Sequence, residues 1–227
     1  MMMSSDDVEI LPARTPSDLD AAGRRAAGVL RAGGVVVHPT ETVYGLGGDG
    51  TPENNALIAR MKDRDVDRPL LLLTPDLDTL RAFLPTVRWP EPAERLARHF
   101  WPGPLTLIVQ CPGAPRGLGG PGEGVAVRIS PHPAVSAIFR HWGRPMTSTS
   151  ANRSGDPPAR TAREGAAICA GFGPSTSRPV LALDGGPSAV GTPSTIVTLV
   201  GPRPRLTRPG AVPLNEIREI IPELQEP

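Results

Sequence analysis

The sequence predicts an α/β layer fold built on a mixed parallel and antiparallel sheet. Short apolar or β-branched runs alternate with stretches of helical periodicity, as such a fold requires. In places strand-like runs follow one another with no helix between them, which argues against a strict parallel series. The 25 Gly and 29 Pro fall between these runs, so they punctuate turns and do not form a low-complexity tract.

The elements follow in order. Residues 1–16 read as a flexible lead-in. Leu19, Ala22, Ala26, Val29 and Leu30 share one helical face, with Ser17 or Asp18 as the cap and Gly33-Gly34 as the stop. Residues 35–38 are a buried strand, and the glycines after it read as a loop. Thr51, Pro52 and Glu53 give a capping hydroxyl, an initial proline and a first-turn acid. That helix runs to about Met61 and leaves Lys62 and Arg64 at or just past its end. Residues 70–73 are a strand, and 77–83 and 92–100 are helices. Strands at 105–110 and 125–129 flank a Gly/Pro-rich segment, 112–124, read as a mobile surface loop. A helix at 133–141, a strand at 146–150, a helix at 161–169 and strands at 180–183 and 195–199 come next, then a helix at 214–221. No linker divides the chain, so 17–212 reads as one domain and 213–227 as a C-terminal helix and tail.

A chain of 227 residues with 39% hydrophobic and 21% charged residues can bury roughly 70% of its unfolded surface and needs no staple. The net charge of +1 excludes a global basic field, although a local basic cleft is compatible with it. Among 24 basic residues the only lysine is Lys62. Either chance spared it, or a compact ammonium is needed where a planar guanidinium will not serve. Cys111 and Cys169 form no ligand pattern, so a reduced cytoplasmic protein is expected. No signal segment opens the chain, and no apolar run approaches the 18 residues of a membrane span.

Two glycine patterns are decoys. Gly45 to Gly50 matches G-x-G-x-x-G and precedes a helix, but the strand before it ends near His38, too early for a dinucleotide fingerprint. Gly117 to Gly122 matches inside a loop. No P-loop, G-x-S-x-G or H-E-x-x-H is present, and the four histidines are scattered.

Four segments concentrate hydroxyls and cations: 38–47, 62–69, 148–155, and 192–195 together with Arg208-Pro209-Gly210. Each adjoins a strand, and ligands of open α/β sheets bind beyond strand ends. Cations, hydroxyls and loop amides together make an anion site without a P-loop. Blander readings stand beside this one. Lys62, Arg64 and Arg68 also fit a solvated face paired with Asp63, Asp65 and Asp67. Ser/Thr-rich turns are commonly plain caps, and Tyr44 also fits a core-edge residue with a satisfied hydroxyl. The residues alone lead to an anion-binding α/β protein that handles a nucleotide.

Seven blocks are distinctive: Pro39-Thr40-Glu41-Thr42-Val43-Tyr44-Gly45-Leu46-Gly47, Lys62-x-Arg64, Trp101-Pro102-Gly103-Pro104-Leu105-Thr106, Ala126-Val127-Arg128, Ser148-Thr149-Ser150-Ala151-Asn152-x-Ser154-Gly155, Pro193-Ser194-Thr195-Ile196-Val197 and Arg208-Pro209-Gly210. Through them the sequence strongly resembles the YrdC/Sua5 family of threonylcarbamoyl-AMP synthases. The blocks keep the family's order over roughly residues 20–212. The resemblance implies a twisted mixed sheet around a deep basic cavity, in the short, single-domain form. It implies that L-threonine, bicarbonate and ATP give threonylcarbamoyl-AMP and diphosphate, for separate proteins that complete the t6A modification of tRNA. Lys62, Arg64 and Arg68 would hold the triphosphate, with Mg²⁺, and Lys62 and Arg64 would be the catalytic pair. Ser150, Asn152 and Arg208 would complete the ATP site. Thr40, Tyr44, Arg128, Ser148 and Ser194 would recognise threonine, Arg128 through its carboxylate. Two positions depart from the family pattern. Asp65 stands where a proline is common, and Leu72-Leu73-Thr74 where many members carry a histidine. Weak RNA binding is expected beside catalysis; readings of another class are an RNA-binding module without catalysis, or a component of carbamoyl transfer. The near-neutral charge and the few aromatics weigh against the RNA platform.

Overall fold

The computed structural model describes residues 8–171 and 178–226. Its sheet runs through β1 (Glu9–Pro12), β2 (Val35–His38), β3 (Gly45–Gly48), β4 (Leu71–Leu73), β5 (Leu105–Gln110), β6 (Gly124–Arg128), β7 (Met146–Ser150), β8 (Val180–Asp184), β9 (Thr195–Thr198) and β10 (Arg205–Arg208). The helices are α1 (Pro16–Arg31), α2 (Pro52–Met61), α3 (Leu77–Phe83), α4 (Glu91–Phe100), α5 (Pro133–Trp142), α6 (Ala162–Ile168) and α7 (Leu214–Ile220). The strand order is β1-β8-β2-β3-β7-β4-β6-β5-β9-β10. The β1/β8, β2/β8, β4/β6 and β5/β9 pairs are parallel and the other pairs antiparallel. The expected mixed sheet is therefore what forms.

Local chemistry sets the helix starts. α1 is capped by Thr15, not by Ser17 or Asp18. The Thr15 hydroxyl accepts from the Asp18 amide while the Asp18 carboxylate accepts from the Thr15 amide. This reciprocal box satisfies two of the amides a helix leaves open at its start. Thr51 caps α2 as the sequence suggests. Thr161 caps α6 with Glu164 closing a second box.

Three strands escaped the sequence reading. Residues 9–12 were assigned to the lead-in, yet Glu9–Pro12 pairs with β8 along the edge of the sheet; residues 1–7 lie outside the described residues. The sequence places residues 45–48 in a loop, but β3 sits between β2 and β7. A Cβ on Gly45 would lie 2.8 Å from the His38 ring, and one on Gly48 only 1.7 Å from Asn54 Oδ1. Those glycines buy close packing inside a strand, and the dinucleotide pattern they mimic is absent as structure. β10 pairs with β9. The C-terminal stretch is packed too, since Ile217, Ile221 and Leu224 are buried in one core with Leu96 and Leu107.

Helix placement decides where a ligand can go. α1 and α5 cover one face of the first half-sheet through Ala26, Leu30 and Ile138 against Val36, Leu181 and Leu183. α2 and α6 cover its other face through Ile58, Met61 and Ala166 against Val35, Val37 and Leu46. In the second half, Leu105, Leu107, Val125, Val127 and Val197 pack toward Leu80 and Leu96 of α3 and α4. Each fully buried leucine among them contributes roughly 1.5–3 kcal/mol. The alternate residues Thr106, Ile108, Ala126, Arg128, Ile196 and Thr198 point the other way, and these line a cavity. The segment 112–124, read as a surface loop, is anchored by Leu118, which is fully buried, and its Gly120, Pro121 and Gly122 form part of the cavity wall.

Candidate functional site

The cavity holds about 680 Å³, a size typical of small-molecule sites. Lys62, Arg64, Arg68, Arg128, Arg205 and Arg208 line it, and no Asp or Glu is among the described residues of its wall. Residues from all four hydroxyl-and-cation segments meet here.

Lys62 follows α2 directly and is its C-cap. Its side chain is buried, with 3% of the residue exposed. Nζ donates to the main-chain oxygen of Ser150, to that of Asn152 at 2.7 Å and to Asn152 Oδ1 at 3.1 Å. Burial, together with the charges of Arg64 and Arg68, pushes its ammonium down to about 8. Arg64 donates to Thr149 Oγ1 at 3.2 Å and to the Pro69 oxygen at 2.9 Å, while its buried Nε meets no partner among the described residues. Burial and then the Arg68 charge lower its affinity for the proton. Arg68 is exposed. No described ion pair joins Lys62, Arg64 or Arg68 to Asp63, Asp65 or Asp67; Asp67 instead pairs with Arg116 at 3.2 Å. The solvated, self-paired face is therefore not what forms.

Ser148 and Ser150 lie on the cavity face of β7. Ser150 Oγ donates to Asn152 Oδ1 at 2.5 Å. Ser148 Oγ sits 3.1 Å from Nε2 of the fully buried His38. Burial pushes that imidazole down to about 4, so it is neutral near pH 7.

A second cationic group lines the same cavity. Arg128 ends β6, with Nε donating to the Gly103 oxygen at 3.1 Å and Nη2 to Thr42 Oγ1 at 3.1 Å and to the Glu41 carboxylate. Ser130 Oγ donates to the other Glu41 oxygen at 2.7 Å. Arg208 Nη2 donates to the Ser194 oxygen at 2.7 Å, and Ser194 Oγ lies 2.8 Å from Thr106 Oγ1. Burial, and then the nearby Arg128 charge, lower the proton affinity of Arg208. Two guanidiniums close enough to repel mark a place where an anion is favoured.

Two expected threonine contacts have their hydroxyls occupied. Thr40 Oγ1 donates to the Val43 oxygen at 2.6 Å and accepts from the Thr42 and Val43 amides. Tyr44 OH donates to the Gly186 oxygen at 2.7 Å and accepts from the Gly185 amide at 3.2 Å. Both residues line the cavity, but with these hydroxyls tied to the chain. Sequence reasoning gave no site role to His38, Glu41, Thr42, Thr106 and Thr149, although they lie in the segments and blocks it singled out, and it did not name Ser130. Thr106 was within reach, because it alternates with Leu105 and Leu107 on a strand and so must face the other side.

No described group of three His, Cys, Asp or Glu could hold a metal ion. The donor set of the cavity is cationic and hydroxylic, so it does not fit a resident magnesium.

The family profile of Sua5, YciO and YrdC proteins, described as "Telomere recombination", matches residues 28–210. The curated threonylcarbamoyl-AMP synthase of Pyrococcus abyssi is 37% identical over 204 residues, covering 89% of this chain and 58% of that protein. The threonylcarbamoyl-AMP synthase of Bacillus subtilis is 37% identical over 203 residues, covering 87% and 56%. The chain thus spans somewhat over half the length of these relatives. The crystal structure of P. abyssi Sua5 complexed with L-threonine superposes with a TM-score of 0.81 at 33% identity, covering 97% of this chain and 62% of that one.

Proposed function

We infer the function from the premise that this chain belongs to the Sua5/YciO/YrdC family: it is a threonylcarbamoyl-AMP synthase, joining L-threonine, bicarbonate and ATP into threonylcarbamoyl-AMP with release of diphosphate and water. The observation that carries this reading is the meeting of Lys62, Arg64, Ser148, Ser150, Arg128 and Arg208 in one cavity with no acid among the described residues of its wall.

The proposed chemistry asks little covalent work of the protein. A neutral threonine amine attacks the bicarbonate carbon, whose hydroxyl leaves as water with an amine proton, to give a carbamate; a carbamate oxygen then attacks the α-phosphorus as diphosphate leaves. Positioning and neutralisation of charge supply the rate. Lys62, Arg64 and Arg68 hold the triphosphate, Lys62 through its charge because its three donors already meet Ser150 and Asn152, with Ser150, Asn152 and Arg208 on the nucleotide. Arg128, Ser148 and Ser194 hold threonine. The occupied hydroxyls favour Thr40 and Tyr44 as shapers of the wall beside it. Arg128 meets the carboxylate through one corner only, since Nε and Nη2 are already engaged. Mg²⁺ would arrive with the triphosphate, because the wall itself offers it no carboxylate. The product would pass to separate proteins that complete t6A on tRNA; weak RNA binding is part of the same proposal. No described helix is long and apolar enough to cross a membrane.

Diphosphate release measured with ATP, bicarbonate and each amino acid in turn tests the reading. Release that depends on threonine supports it. Release indifferent to the amino acid, or no release with bicarbonate and threonine present, counts against it.

A further inference from the structure

Glu41 is a carboxylate beside a cavity that otherwise excludes carboxylates, and nothing in the proposed chemistry uses it. It is not part of the cavity wall. It pairs with Arg128, whose side chain is 5% exposed against 18% for Glu41. Its two oxygens are divided between two partners: Oε1 accepts from Arg128 Nη2, and Oε2 accepts from Ser130 Oγ at 2.7 Å. Its main chain is fixed as well, since its oxygen accepts from the Val190 amide at 3.2 Å and that of Thr42 from the Gly191 amide at 2.9 Å.

We propose that Glu41 is the positioning residue of the substrate site, holding the Arg128 guanidinium so that Nη1 is the corner left to meet the carboxylate of the amino-acid substrate. The proposal rests on the assignment of Arg128 to that carboxylate. Nε is engaged by Gly103, and Nη2 by Glu41 and Thr42. Nη1 has no hydrogen-bond partner among the described residues. A long flexible side chain is thereby fixed before any ligand arrives, and the ordering cost falls on folding and not on binding. The paired carboxylate also tempers the guanidinium. Arg128 then selects by direction, and a second oxygen of the substrate must find its donor elsewhere, with Ser194 and Arg208 lining the same cavity. A buried arginine without its partner would keep its charge but lose this direction.

The test is calorimetric titration of L-threonine, and separately of ATP, into wild type, Glu41→Gln, Arg128→Ala and the double variant, with melting temperatures alongside. Without its ionic partner the Arg128 side chain must be ordered by the ligand instead, so Glu41→Gln should weaken threonine binding by up to roughly tenfold and ATP binding by no more than about twofold. The double variant should bind threonine no worse than Arg128→Ala alone, because Glu41 acts through Arg128. Unchanged threonine affinity in Glu41→Gln, with Arg128→Ala weakened, overturns the proposal and leaves a merely structural ion pair. A full additional loss in the double variant also overturns it, since Glu41 would then touch the ligand itself. Unchanged affinity in Arg128→Ala instead removes the assignment on which the proposal rests. If Glu41→Gln does not fold, Ser130→Ala loosens Glu41 while keeping the charge pair. Weakened threonine binding with intact ATP binding supports the proposal there, and unaltered binding of both overturns it.

Discussion

The ammonium of Lys62 reaches Asn152, donating to its main-chain oxygen at 2.7 Å and to its Oδ1 at 3.1 Å. The Ser154 amide returns a hydrogen bond to the Lys62 oxygen at 2.8 Å. The end of α2 and the loop after β7 are therefore stapled together by the same side chain that is proposed to face the triphosphate.

From this follows a double cost for Lys62→Arg. A residue at a helix end beside a cleft would be expected from sequence to matter little for stability. Here it is buried with three acceptors around it, and a planar guanidinium cannot meet them in the same space. Stability should fall by about 1–3 kcal/mol through acceptors left unmatched. Diphosphate release at saturating threonine should fall on the order of a hundredfold. Wild-type melting together with wild-type turnover would show that chance alone spared this lysine.

The single lysine also allows a direct titration, because lysine labelled at Cε with carbon-13 gives one signal from the whole protein. That signal should titrate near pH 8 in the free protein, well below an ordinary lysine. Between about 8 and the unfolded value, the unfolded chain binds more protons than the folded one, so stability rises with pH across that window. Bound phosphates favour the charged form, and ATP should therefore move the titration upward. By linkage, nucleotide affinity should fall as the pH rises through 8. A free-protein titration at the ordinary lysine value, or no movement on adding ATP, would contradict this.

His38 predicts the opposite flank of the pH range. Its imidazole is held neutral by burial, down to about 4. The unfolded chain takes up the proton first, so this contribution is full above about 6.5 and is lost as the pH falls toward 4, by about 3 kcal/mol in all. Chemical denaturation of wild type and His38→Phe across pH 4–7 should show the steeper slope in wild type. Parallel slopes would place the acid sensitivity elsewhere.

Gly45→Ala should destabilise by about 1–3 kcal/mol, as overpacking does, because its Cβ would lie 2.8 Å from the His38 ring and 3.0 Å from Ser148 Oγ. Combining it with His38→Ala should cost less than the two changes separately, since the clash is removed. Strict additivity in urea denaturation would mean that the ring is not what excludes the methyl group.

Much of this was legible in the residues. The alternation of Leu105, Leu107, Val125 and Val127 with smaller or polar neighbours marks a strand pair with one buried face, and the hydroxyl-and-cation segments do converge. β3 was not legible, because Gly45-Leu46-Gly47-Gly48 has neither β-branched residues nor a patterned face. Its glycines answer to the His38 ring and the Asn54 side chain, which are contacts made in space. β1 was hidden for a related reason, since Glu9–Pro12 is exposed along most of its length and owes its strand state to β8. The engagement of the Thr40 and Tyr44 hydroxyls was not legible, because a sequence shows that a hydroxyl is present and not whether the chain has already used it. Glu41 and Arg128 lie 87 residues apart, and no local pattern announces their pairing.

Tyr44→Phe puts that last distinction to a test. Losing the hydroxyl leaves the Gly186 oxygen and the Gly185 amide without their partner. Stability should fall by about 1 kcal/mol, while threonine affinity should change far less than in Arg128→Ala. Threonine binding lost to the same degree in both variants would return the Tyr44 hydroxyl to the substrate.

If threonine, bicarbonate and the α-phosphorus of ATP meet in one cavity, a single product must carry all three. Carbon-13 bicarbonate, ATP and L-threonine should be incubated with the protein and the adenylate fraction weighed by mass spectrometry before it hydrolyses. The expected result is an adenylate bearing one labelled carbon and one threonine, formed together with an equal amount of diphosphate and missing when any one substrate is withheld. ATP cleaved with no labelled carbon in the adenylate, or no ATP consumed with all three substrates present, would contradict it.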